Sequence, residues 1–259
     1  MKTTFFKYQG AGNDFVIIDN REATFPKENQ ELIAHICDRK FGIGADGLML
    51  LENSDRADFT MLYFNADGLP GSMCGNGGRC IVAFAQNQEV IQNETRFEAQ
   101  NEIYEAKIDQ GKVSLKMTDV QQIEVFPEYT FLNTGSPHHI SFAENVDDIN
   151  VFELGRKIRY AEPYNQEGTN VNFVEKINEN TFKVRTYERG VEDETLSCGT
   201  GVTAVALASF HLKKTGEKHL RIITKGGDLF VDFDFSDAHF HDIVLSGPAT
   251  FVFQGEIKI

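Results

Sequence analysis

The chain carries the same short element twice, a cysteine followed by glycines at the start of an apolar segment. The first copy is GSMCGNGGRC at 71–80, and the second is LSCGTGVTA at 196–204. Their cysteines, Cys74 and Cys198, lie 124 residues apart, close to half of the 259-residue chain. A repeat of this period constrains the fold strongly, because each copy must form the same kind of structural unit.

Two more landmarks recur at almost the same distance and in the same order. Gly44 in GIGADGLML corresponds to Gly168 in EGTNVNFVE at an offset of 124. Gly12 in GAGNDFVII corresponds to Gly135 in NTGSPHHIS at an offset of 123. Three collinear matches at one period predict a duplicated domain of about 120 residues.

Each half shows the same pattern of predicted elements, with several short strands and one apolar helix. Runs such as DFVIID and GLMLLE in the first half, and VNFVEKI and TFKVRTY in the second, have the length and apolar content of strands. The helix that follows each cysteine is apolar over much of its circumference, which is typical of a helix buried within a sheet. The patterns predict a mixed α+β (α/β) fold of two similar domains, each a curved, mostly antiparallel sheet around a central helix. The active site is then expected in the cleft between the domains.

The predicted domain boundaries follow the repeat. The N-terminal domain comprises residues 1–119 plus 250–259, and the C-terminal domain comprises residues 120–249. The segment VQQIEVFPEY is predicted to cross between the domains, and the closing FVFQGEIKI is predicted to return to the first. The amphipathic runs KENQELIAHICDRK and DINVFELGRKIR each predict a shorter helix.

Charge and composition argue against several classes of partner. The formal net charge is −14 and the Lys and Arg residues are scattered, whereas nucleic acid is bound through clustered basic residues. No run approaches the ~18 apolar residues of a membrane span. The first twenty residues lack the apolar core of a secretory signal, so we expect a cytoplasmic protein with no membrane partner. Four cysteines are too few for a disulfide scaffold in a chain of this length, which leaves the thiols available for chemistry.

A cysteine at a helix start is suited to acid and base chemistry. The thiolate is the reactive form, and the dipole and unpaired N–H groups of a helix N-terminus lower the pKa of a thiol. The glycines that follow leave those N–H groups accessible to an anion such as a carboxylate. Two such thiols suit stereoinversion, because one removes a proton from a carbon atom while the other returns a proton to the opposite face.

The remaining cysteines and histidines fit structural roles. Cys37 and Cys80 lie inside predicted helices and are interpreted as small core residues. A zinc site is not expected, because the chain has no CxxC pair and the HFH at 239–241 alternates like an exposed strand face. A regulatory disulfide between Cys74 and Cys198 stays open as an alternative, and oxidation would then inactivate the protein reversibly.

Several motifs taken together resemble the diaminopimelate epimerase family: GAGNDFVIID, FGIGADGL, FNADGLPGSMCGNGGRC, TNVNFV, YERGVEDETLSCGTG and SGPATFVFQGE. The similarity extends over nearly the whole chain. It implies an enzyme that interconverts LL- and meso-diaminopimelate, a small amino-acid substrate, on the lysine and peptidoglycan route. It also implies that no cofactor, neither pyridoxal phosphate nor metal, is used, and that the enzyme is a homodimer.

The same resemblance assigns the site residues. Cys74 and Cys198 match the two acid/base cysteines, and His138 and Glu188 match residues that support catalysis. The positions that match substrate-binding residues are Asn13, Asn65, Gly75, Asn76, Asn170, Glu188, Arg189, Gly199 and Thr200. An arginine for the distal carboxylate, a glutamate for the ammonium group and several amides suit a substrate with two amino-acid ends.

The chain departs from the family pattern at three places. Ser136 stands where the family commonly has Asn, Gly47 stands where some members have a longer polar side chain, and the loop before Cys198 is one residue longer. Two alternatives stay open, a two-cysteine racemase or epimerase for proline or hydroxyproline, and a binding module whose cysteines form a redox clamp. Glu188 and Arg189 argue against the racemase, because a compact monocarboxylate needs no second polar binding group.

Overall fold

The computed structural model describes residues 2–71 and 73–259, and the chain divides into two compact units. The first unit comprises Met1–Leu115 with Gly247–Ile259, and the second comprises Lys116–Ser246. The boundaries predicted from the sequence lie three to four residues further along the chain. Among the residues described, no helix has the length and apolar character needed to cross a membrane.

Each unit is built from strands and two α-helices. The elements of the first unit are β1 (Lys2–Gly10), β2 (Asn13–Asp19), α1 (Gln30–Cys37), β3 (Gly47–Glu52), β4 (Phe59–Asn65), α2 (Gly75–Asn87), β5 (Glu94–Ala99), β6 (Glu102–Asp109), β7 (Lys112–Lys116) and β17 (Thr250–Lys258). Those of the second unit are β8 (Ile123–Val125), β9 (Thr130–Asn133), β10 (Pro137–Phe142), a 3₁₀ turn (Val146–Asp148), α3 (Val151–Arg159), β11 (Asn170–Lys176), β12 (Thr181–Glu188), β13 (Asp193–Thr195), α4 (Gly199–His211), β14 (His219–Thr224), β15 (Gly227–Ser236) and β16 (His239–Pro248).

The two units have the same strand order and the same strand directions. In the first unit the order is β17–β1–β2–β3–β4–β5–β6–β7, and β2–β3 and β4–β5 are its parallel pairs. In the second unit the order is β8–β9–β10–β11–β12–β14–β15–β16, and the parallel pairs β10–β11 and β12–β14 occupy the same places. Helices α1 and α3 make the first parallel crossover, and α2 and α4 make the second. The shared topology confirms the duplication and the mostly antiparallel sheets predicted from the repeat.

The repeated glycines adopt the same backbone conformation in both units. Gly12 and Gly135 have φ angles of +95° and +102°, and Gly44 and Gly168 have φ angles of +83° and +66°. These values lie in the left-handed region, which residues with a Cβ atom rarely adopt. The landmarks therefore recur because the same turns lead into β2 and β10, and into β3 and β11.

The central helix of each unit, α2 or α4, is enclosed by its sheet. Helix α2 contacts β17 and β1 at one end of the strand order and β6 towards the other. Helix α4 contacts strands from β9 to β15 in the same way. A sheet that touches one helix along most of its strand order must curve around that helix. Residues 75–85 of α2 are all buried as a result.

The shorter helices α1 and α3 pack on the other face of their sheets. Each begins three residues inside its predicted run, because asparagine side chains at Asn29 and Asn150 accept hydrogen bonds from N–H groups of the first turn. Ile33 of α1 packs in a buried cluster with alternate residues of β2 and β3. Val151 of α3 packs in the same manner with Phe173 of β11.

The C-terminal segment returns to the first unit, as predicted. Strand β17 pairs antiparallel with β1, from Lys2 opposite Lys258 to Gln9 opposite Thr250. In the second unit the equivalent position beside β9 is taken by the short strand β8. The first unit is thus completed by the end of the chain and the second by the segment that precedes it.

Candidate active site

Each cysteine of the repeated element is the N-cap residue of a central helix. Cys74 precedes α2 with φ −107° and ψ 123°, and Cys198 precedes α4 with φ −122° and ψ 112°. Neither side chain caps its own helix. The first N–H groups and the positive end of the helix dipole are therefore placed to stabilise a thiolate or to bind a carboxylate. Cys74 is half-buried, whereas Cys198 is 7% exposed.

In the first unit, a chain of hydrogen bonds runs from a buried cation to a carboxylate beside the start of α2. Arg79 Nη2 donates to Asn76 Oδ1 at 2.8 Å, and Asn76 Nδ2 donates to Asn13 Oδ1 at 2.5 Å. Asn13 Nδ2 in turn donates to Asp46 Oδ2 at 3.0 Å. Each amide accepts on one side and donates on the other, which fixes its orientation. The chain brings together Asn13 and Asn76, two of the predicted site residues.

An ionic cluster supports the far end of this chain. Asp14 forms ion pairs with Lys7 at 2.7 Å and with Arg39 at 2.6 Å, and Arg39 also pairs with Asp46 at 2.7 Å. Burial raises the pKa of Asp14, but hydrogen bonds and charges from Arg39 and Lys7 outweigh burial and hold that pKa at about 2. The Asp14 carboxylate therefore stays ionised and keeps its ion pairs with Lys7 and Arg39.

Asn65 is placed separately, at the end of β4. Its side chain is exposed and takes no part in the Asn13–Asn76 chain. The register of β3 and β4 places Asn65 opposite Gly47. A Cβ atom added to Gly47 would lie 2.4 Å from the ring of Tyr63. The Tyr63 ring therefore occupies the space that a longer side chain at position 47 would need, which explains this departure from the family pattern.

Gln100 holds the loop that leads into Cys74. Its side-chain nitrogen donates to the carbonyl oxygen of Gly71 at 3.0 Å, and its oxygen accepts from the N–H of Met73 at 3.3 Å. The Gln100 side chain thus bonds to the backbone of both Gly71 and Met73. Gln100 stands in no recognised motif, so the sequence offered no signal for this role.

In the second unit, the strands beneath α4 supply a neutral polar network. Asn172 Nδ2 donates to the carbonyl oxygen of His139 at 3.1 Å, while Asn172 Oδ1 accepts from the Thr186 hydroxyl at 2.9 Å. The same nitrogen lies 3.1 Å from His138 Nδ1, which must then be the acceptor. The proton of His138 is therefore on Nε2, which donates to Thr200 Oγ1 at 3.0 Å. Burial, reinforced by the charge of Arg189, lowers the pKa of His138 to about 3 and keeps the ring neutral.

Thr200 connects this network to the second cysteine. Its hydroxyl oxygen lies 3.5 Å from Cys198 Sγ. Because the oxygen already accepts from His138, the hydroxyl hydrogen can point towards a thiolate, and a second lone pair can accept an S–H. Its carbonyl oxygen also accepts from the Thr134 hydroxyl at 2.8 Å, which fixes the first turn of α4. The structure thus brings together His138, Thr200 and Cys198.

The remaining predicted residues of the second unit cluster at the ends of β11 and β12. Asn170 is buried, accepts from the N–H of Arg189 at 2.9 Å and donates to the carbonyl oxygen of Pro137 at 3.1 Å. Glu188 accepts from the Thr195 hydroxyl at 2.9 Å. Asn170 therefore holds the backbone from which the Glu188 and Arg189 side chains project.

The exposed Arg189 side chain borders a cavity of about 270 Å³ within the second unit. Its guanidinium donates to the carbonyl oxygen of Glu167 at 2.9 Å. The cavity combines one cation, two carboxylates and several aromatic rings, and its lining residues are Glu124, Phe126, Tyr129, Phe131, Pro137, Pro163, Tyr164, Glu167, Gly168 and Arg189. Such a lining offers both charges and apolar surface to a small zwitterionic ligand.

Comparison with known proteins gives consistent matches along the whole chain. The sequence model described as diaminopimelate epimerase matches residues 5–123 and 130–252. The diaminopimelate epimerase of Flavobacterium psychrophilum is 51% identical over 253 residues, which cover 97% of this chain and 99% of that protein. The diaminopimelate epimerase of Aquifex aeolicus is 40% identical and covers 98% of this chain and 97% of its own.

Two solved structures show the same fold at low sequence identity. A phenazine biosynthesis protein of the PhzF family from Bacillus anthracis aligns over 100% of both chains, with a TM-score of 0.78 and 16% identity. A hydroxyproline epimerase from Agrobacterium vitis aligns over 99% of this chain and 92% of its own, with a TM-score of 0.67 and 13% identity. The arrangement of strands and helices is therefore shared by proteins whose sequences differ widely.

Proposed function

Because the chain belongs to the diaminopimelate epimerase family, we propose that it interconverts LL- and meso-2,6-diaminopimelate with two cysteines as acid and base. It is an isomerase, an amino-acid epimerase, by the same membership. The observation that carries the mechanism is the matched position of Cys74 and Cys198, each the N-cap of a central helix in one of two duplicated units.

The chemistry requires one thiolate and one thiol. The thiolate takes the α-proton as the Cα–H bond breaks, and the electron pair is delocalised into the α-carboxylate. The thiol then gives its proton to the opposite face of the same carbon atom, so the configuration inverts and the two sulfur atoms exchange protonation states. N–H groups of Gly75, Asn76, Gly199 and Thr200 bind the α-carboxylate, where negative charge accumulates in the transition state.

Neutral groups support the second thiol. The Thr200 hydroxyl lies 3.5 Å from Cys198 Sγ and can donate to a thiolate or accept from a thiol, so it serves both halves of the reaction. His138 holds that hydroxyl through Nε2 and, being neutral, does not favour one protonation state of the sulfur by charge.

The distal end of the substrate needs its own contacts. We assign its carboxylate to Arg189 and to the amides of Asn13, Asn65 and Asn170, and its ammonium group to Glu188. The Glu188 carboxylate is oriented by Thr195, which donates to one of its oxygens. These contacts give the site its preference for a substrate with two amino-acid ends.

We further propose that the enzyme is a cytoplasmic homodimer on the route to lysine and peptidoglycan. The surface that supports self-association is the outer edge of the first sheet, strand β17. Phe251, Val252 and Phe253 are consecutive there and are 44%, 52% and 45% exposed. Apolar surface of this kind on an edge strand invites pairing with another copy. Sedimentation of the native chain and of Val252→Glu tests this, and a monomeric native chain would contradict the proposal.

The function is tested by incubating the protein with LL-diaminopimelate in D2O under reducing conditions. Deuterium should replace the α-hydrogen while the meso isomer accumulates, as followed by NMR and chiral chromatography. Exchange with proline or hydroxyproline but not with diaminopimelate would identify the enzyme instead as a two-cysteine proline or hydroxyproline racemase or epimerase. Ligand binding without exchange for any amino acid would contradict an epimerase.

A further inference from the structure

Arg79 is a fully buried cation whose described hydrogen-bond acceptors are all neutral. The side chain is 0% exposed. It donates to Asn76 Oδ1 at 2.8 Å, to the carbonyl oxygen of Gly75 at 3.3 Å and to that of Pro248 at 3.5 Å. A buried charge costs free energy because burial removes its hydration, and neutral acceptors offset this cost less fully than an opposite charge does. Within the described part of the chain, no carboxylate forms an ion pair with Arg79.

Two thiols lie beside the guanidinium group. Cys80 is the next residue along the chain, and Arg79 donates to oxygens of Gly75 and Asn76, the two residues that directly follow Cys74. Burial lowers the pKa of Arg79, and negative charge on Cys80 or on Cys74 would raise it again. Cys80 is fully buried, and burial raises the pKa of its thiol to about 12, so this residue stays protonated at neutral pH. Cys74 is half-buried at the N-terminus of α2, where a thiolate is also stabilised by the helix.

The second unit has no such cation at the equivalent position. Thr203 lies five residues after Cys198, as Arg79 lies five residues after Cys74, and its hydroxyl donates to the carbonyl oxygen of Gly199 at 3.1 Å. Two groups with described contacts at this helix start, Thr200 beside Cys198 and His138 beside Thr200, are neutral, and the charge that acts on His138 is that of the exposed Arg189. The two duplicated helix starts therefore differ by one full buried charge.

We propose, on the basis of the two-cysteine reaction above, that Arg79 is a positioning residue that makes Cys74 the thiolate and leaves Cys198 the thiol in the substrate-free enzyme. Arg79 acts through charge and through Asn76, whose amide it orients beside the cysteine. The enzyme thus rests in one defined protonation state of the two that epimerisation needs. Inversion places the charge on Cys198, and a return proton transfer restores the resting state.

Other ionisable groups around α2 do not supply this charge. From β1, Lys7 is paired with Asp14, and Tyr8 has its pKa raised, chiefly by burial, so it stays neutral. From β2, Asp14 is compensated by Lys7 and Arg39. Glu52 of β3 pairs with Lys27, Glu256 of β17 pairs with Lys2, and burial raises the pKa of Tyr104 on β6. The thiol of Cys80, on α2 itself, stays protonated. Cys74, at the start of α2, is the remaining described group near Arg79 that can carry the compensating negative charge.

The inference is tested by the pH dependence of alkylation. The wild-type protein is treated with iodoacetamide, a neutral reagent that reacts with thiolates, and labelling of each cysteine is followed by peptide mass spectrometry from pH 5 to 10. The midpoint of each profile reports ionisation and, unlike the absolute rate, does not depend on how accessible the sulfur is. We expect the Cys74 midpoint to lie at least one pH unit below that of Cys198.

Substitution of Arg79 should remove this difference. Arg79→Gln should raise the Cys74 midpoint by at least one unit and leave Cys198 unchanged, whereas Arg79→Lys, which keeps the charge, should stay close to wild type. Thr203→Val is the matched control in the second unit and should move neither midpoint. Labelling of the buried Cys80 reports any loss of local structure, which separates an electrostatic effect from unfolding.

Coincident midpoints in the wild type, or a Cys74 midpoint unmoved in Arg79→Gln, would overturn the inference. The two cysteines are also expected to show the same midpoint if Arg79 instead compensates the carboxylate of a bound substrate. The wild-type comparison decides even if Arg79→Gln does not fold. A protein that epimerises with coincident midpoints would overturn this inference alone, whereas separated midpoints without α-proton exchange would overturn the proposed function and keep the thiolate assignment.

Discussion

At the start of α4 the polar network that reaches Thr200 is built on the strands beneath the helix, whereas at the start of α2 it is built chiefly on two residues of the helix itself, Asn76 and Arg79. In the second unit His138, Asn172 and Thr186 form a neutral network on neighbouring strands. Ladder register identifies the equivalent positions in the first unit. His138 pairs with Asn170 in β10–β11, as Phe15 pairs with Gly47 in β2–β3.

At those equivalent positions the first unit carries apolar or aromatic side chains. Phe15, Met49 and Tyr63 stand in place of the histidine, the asparagine and the threonine. In the first unit, the polar groups at the helix start are instead Asn76 and Arg79, on α2 itself. Duplication thus preserved the backbone and the position of the thiol, while the surroundings diverged. A buried cation lies at the start of α2, whereas neutral groups contact Thr200 at the start of α4. The two-cysteine reaction proposed for this enzyme requires the same placement of two sulfur atoms but opposite protonation, and this divergence is the feature that we propose to set that protonation.

The largest effect should come from removing either thiol. Cys74→Ala and Cys198→Ala should each lower kcat for epimerisation about 10⁴-fold, because each removes the acid or the base on one face of the carbon atom. Thermal unfolding of both variants should stay close to wild type. Substantial turnover by either variant would show that the two cysteines do not have matching roles and would contradict the two-base assignment.

Acid should weaken the second unit before the first. Burial lowers the pKa of His139 to about 4, and burial with the charge of Arg189 lowers that of His138 to about 3, while the unfolded chain binds protons near pH 6.5. The contribution of these neutral rings to the free energy of unfolding is fully present above pH 6.5. It falls as the pH drops towards 4, because the unfolded chain then binds protons that the folded chain does not. The loss is about 1.4 kcal/mol per pH unit for each histidine, or about 4 kcal/mol for both at pH 5.

The first unit should resist the same change. The pKa of Asp14 is held at about 2, so its contribution is present above pH 3.8 and is lost only between pH 3.8 and 2. Hydrogen exchange at pH 7 and pH 5, corrected for the intrinsic rate, should show lost protection in α4 and β10 but not in α2 and β2. Equal losses in both units would contradict the assignment, and His139→Gln should reduce the difference.

The hydroxyl of Thr200 should matter for rate more than for binding. Thr200→Val removes the group that joins His138 Nε2 to Cys198 Sγ and should lower kcat about 10²-fold with little change in KM. Thr200→Ser keeps the hydroxyl and should retain most activity. Steady-state kinetics in both directions measure this, and an active valine variant would show that the network does not act on the sulfur.

A smaller difference is expected between two equivalent helix glycines. A Cβ atom at Gly201 would lie 2.6 Å from Asn172 Oδ1, whereas one at Gly77 would lie 3.3 Å from the flexible sulfur of Met49. Gly201→Ala should therefore destabilise the protein by about 1–3 kcal/mol. Gly77→Ala should change stability by less than about 1 kcal/mol, since alanine favours the helix. Urea midpoints compare the two, and equal losses would show that the strands beneath α4 are no more tightly packed than those beneath α2.

The sequence by itself determined the features that depend on local pattern and repetition. The 124-residue period, the recurring glycines and the apolar run after each cysteine sufficed to predict two similar sheets around central helices. The motifs around the two cysteines and at the chain ends sufficed to identify the family. These features are readable because turn geometry and helix starts are set by residues that are neighbours along the chain.

Only the tertiary structure decided what surrounds each sulfur atom. Thr200 meets His138 from 62 residues away, and Asn13 meets Asn76 across 63. Arg79 lies in a quoted motif, yet its neutral acceptors and complete burial could not be read from GNGGRC. A hydrophobic period shows which face of an element is buried but not which strand lies against it. The charge difference between the two helix starts is therefore set by strand register and packing.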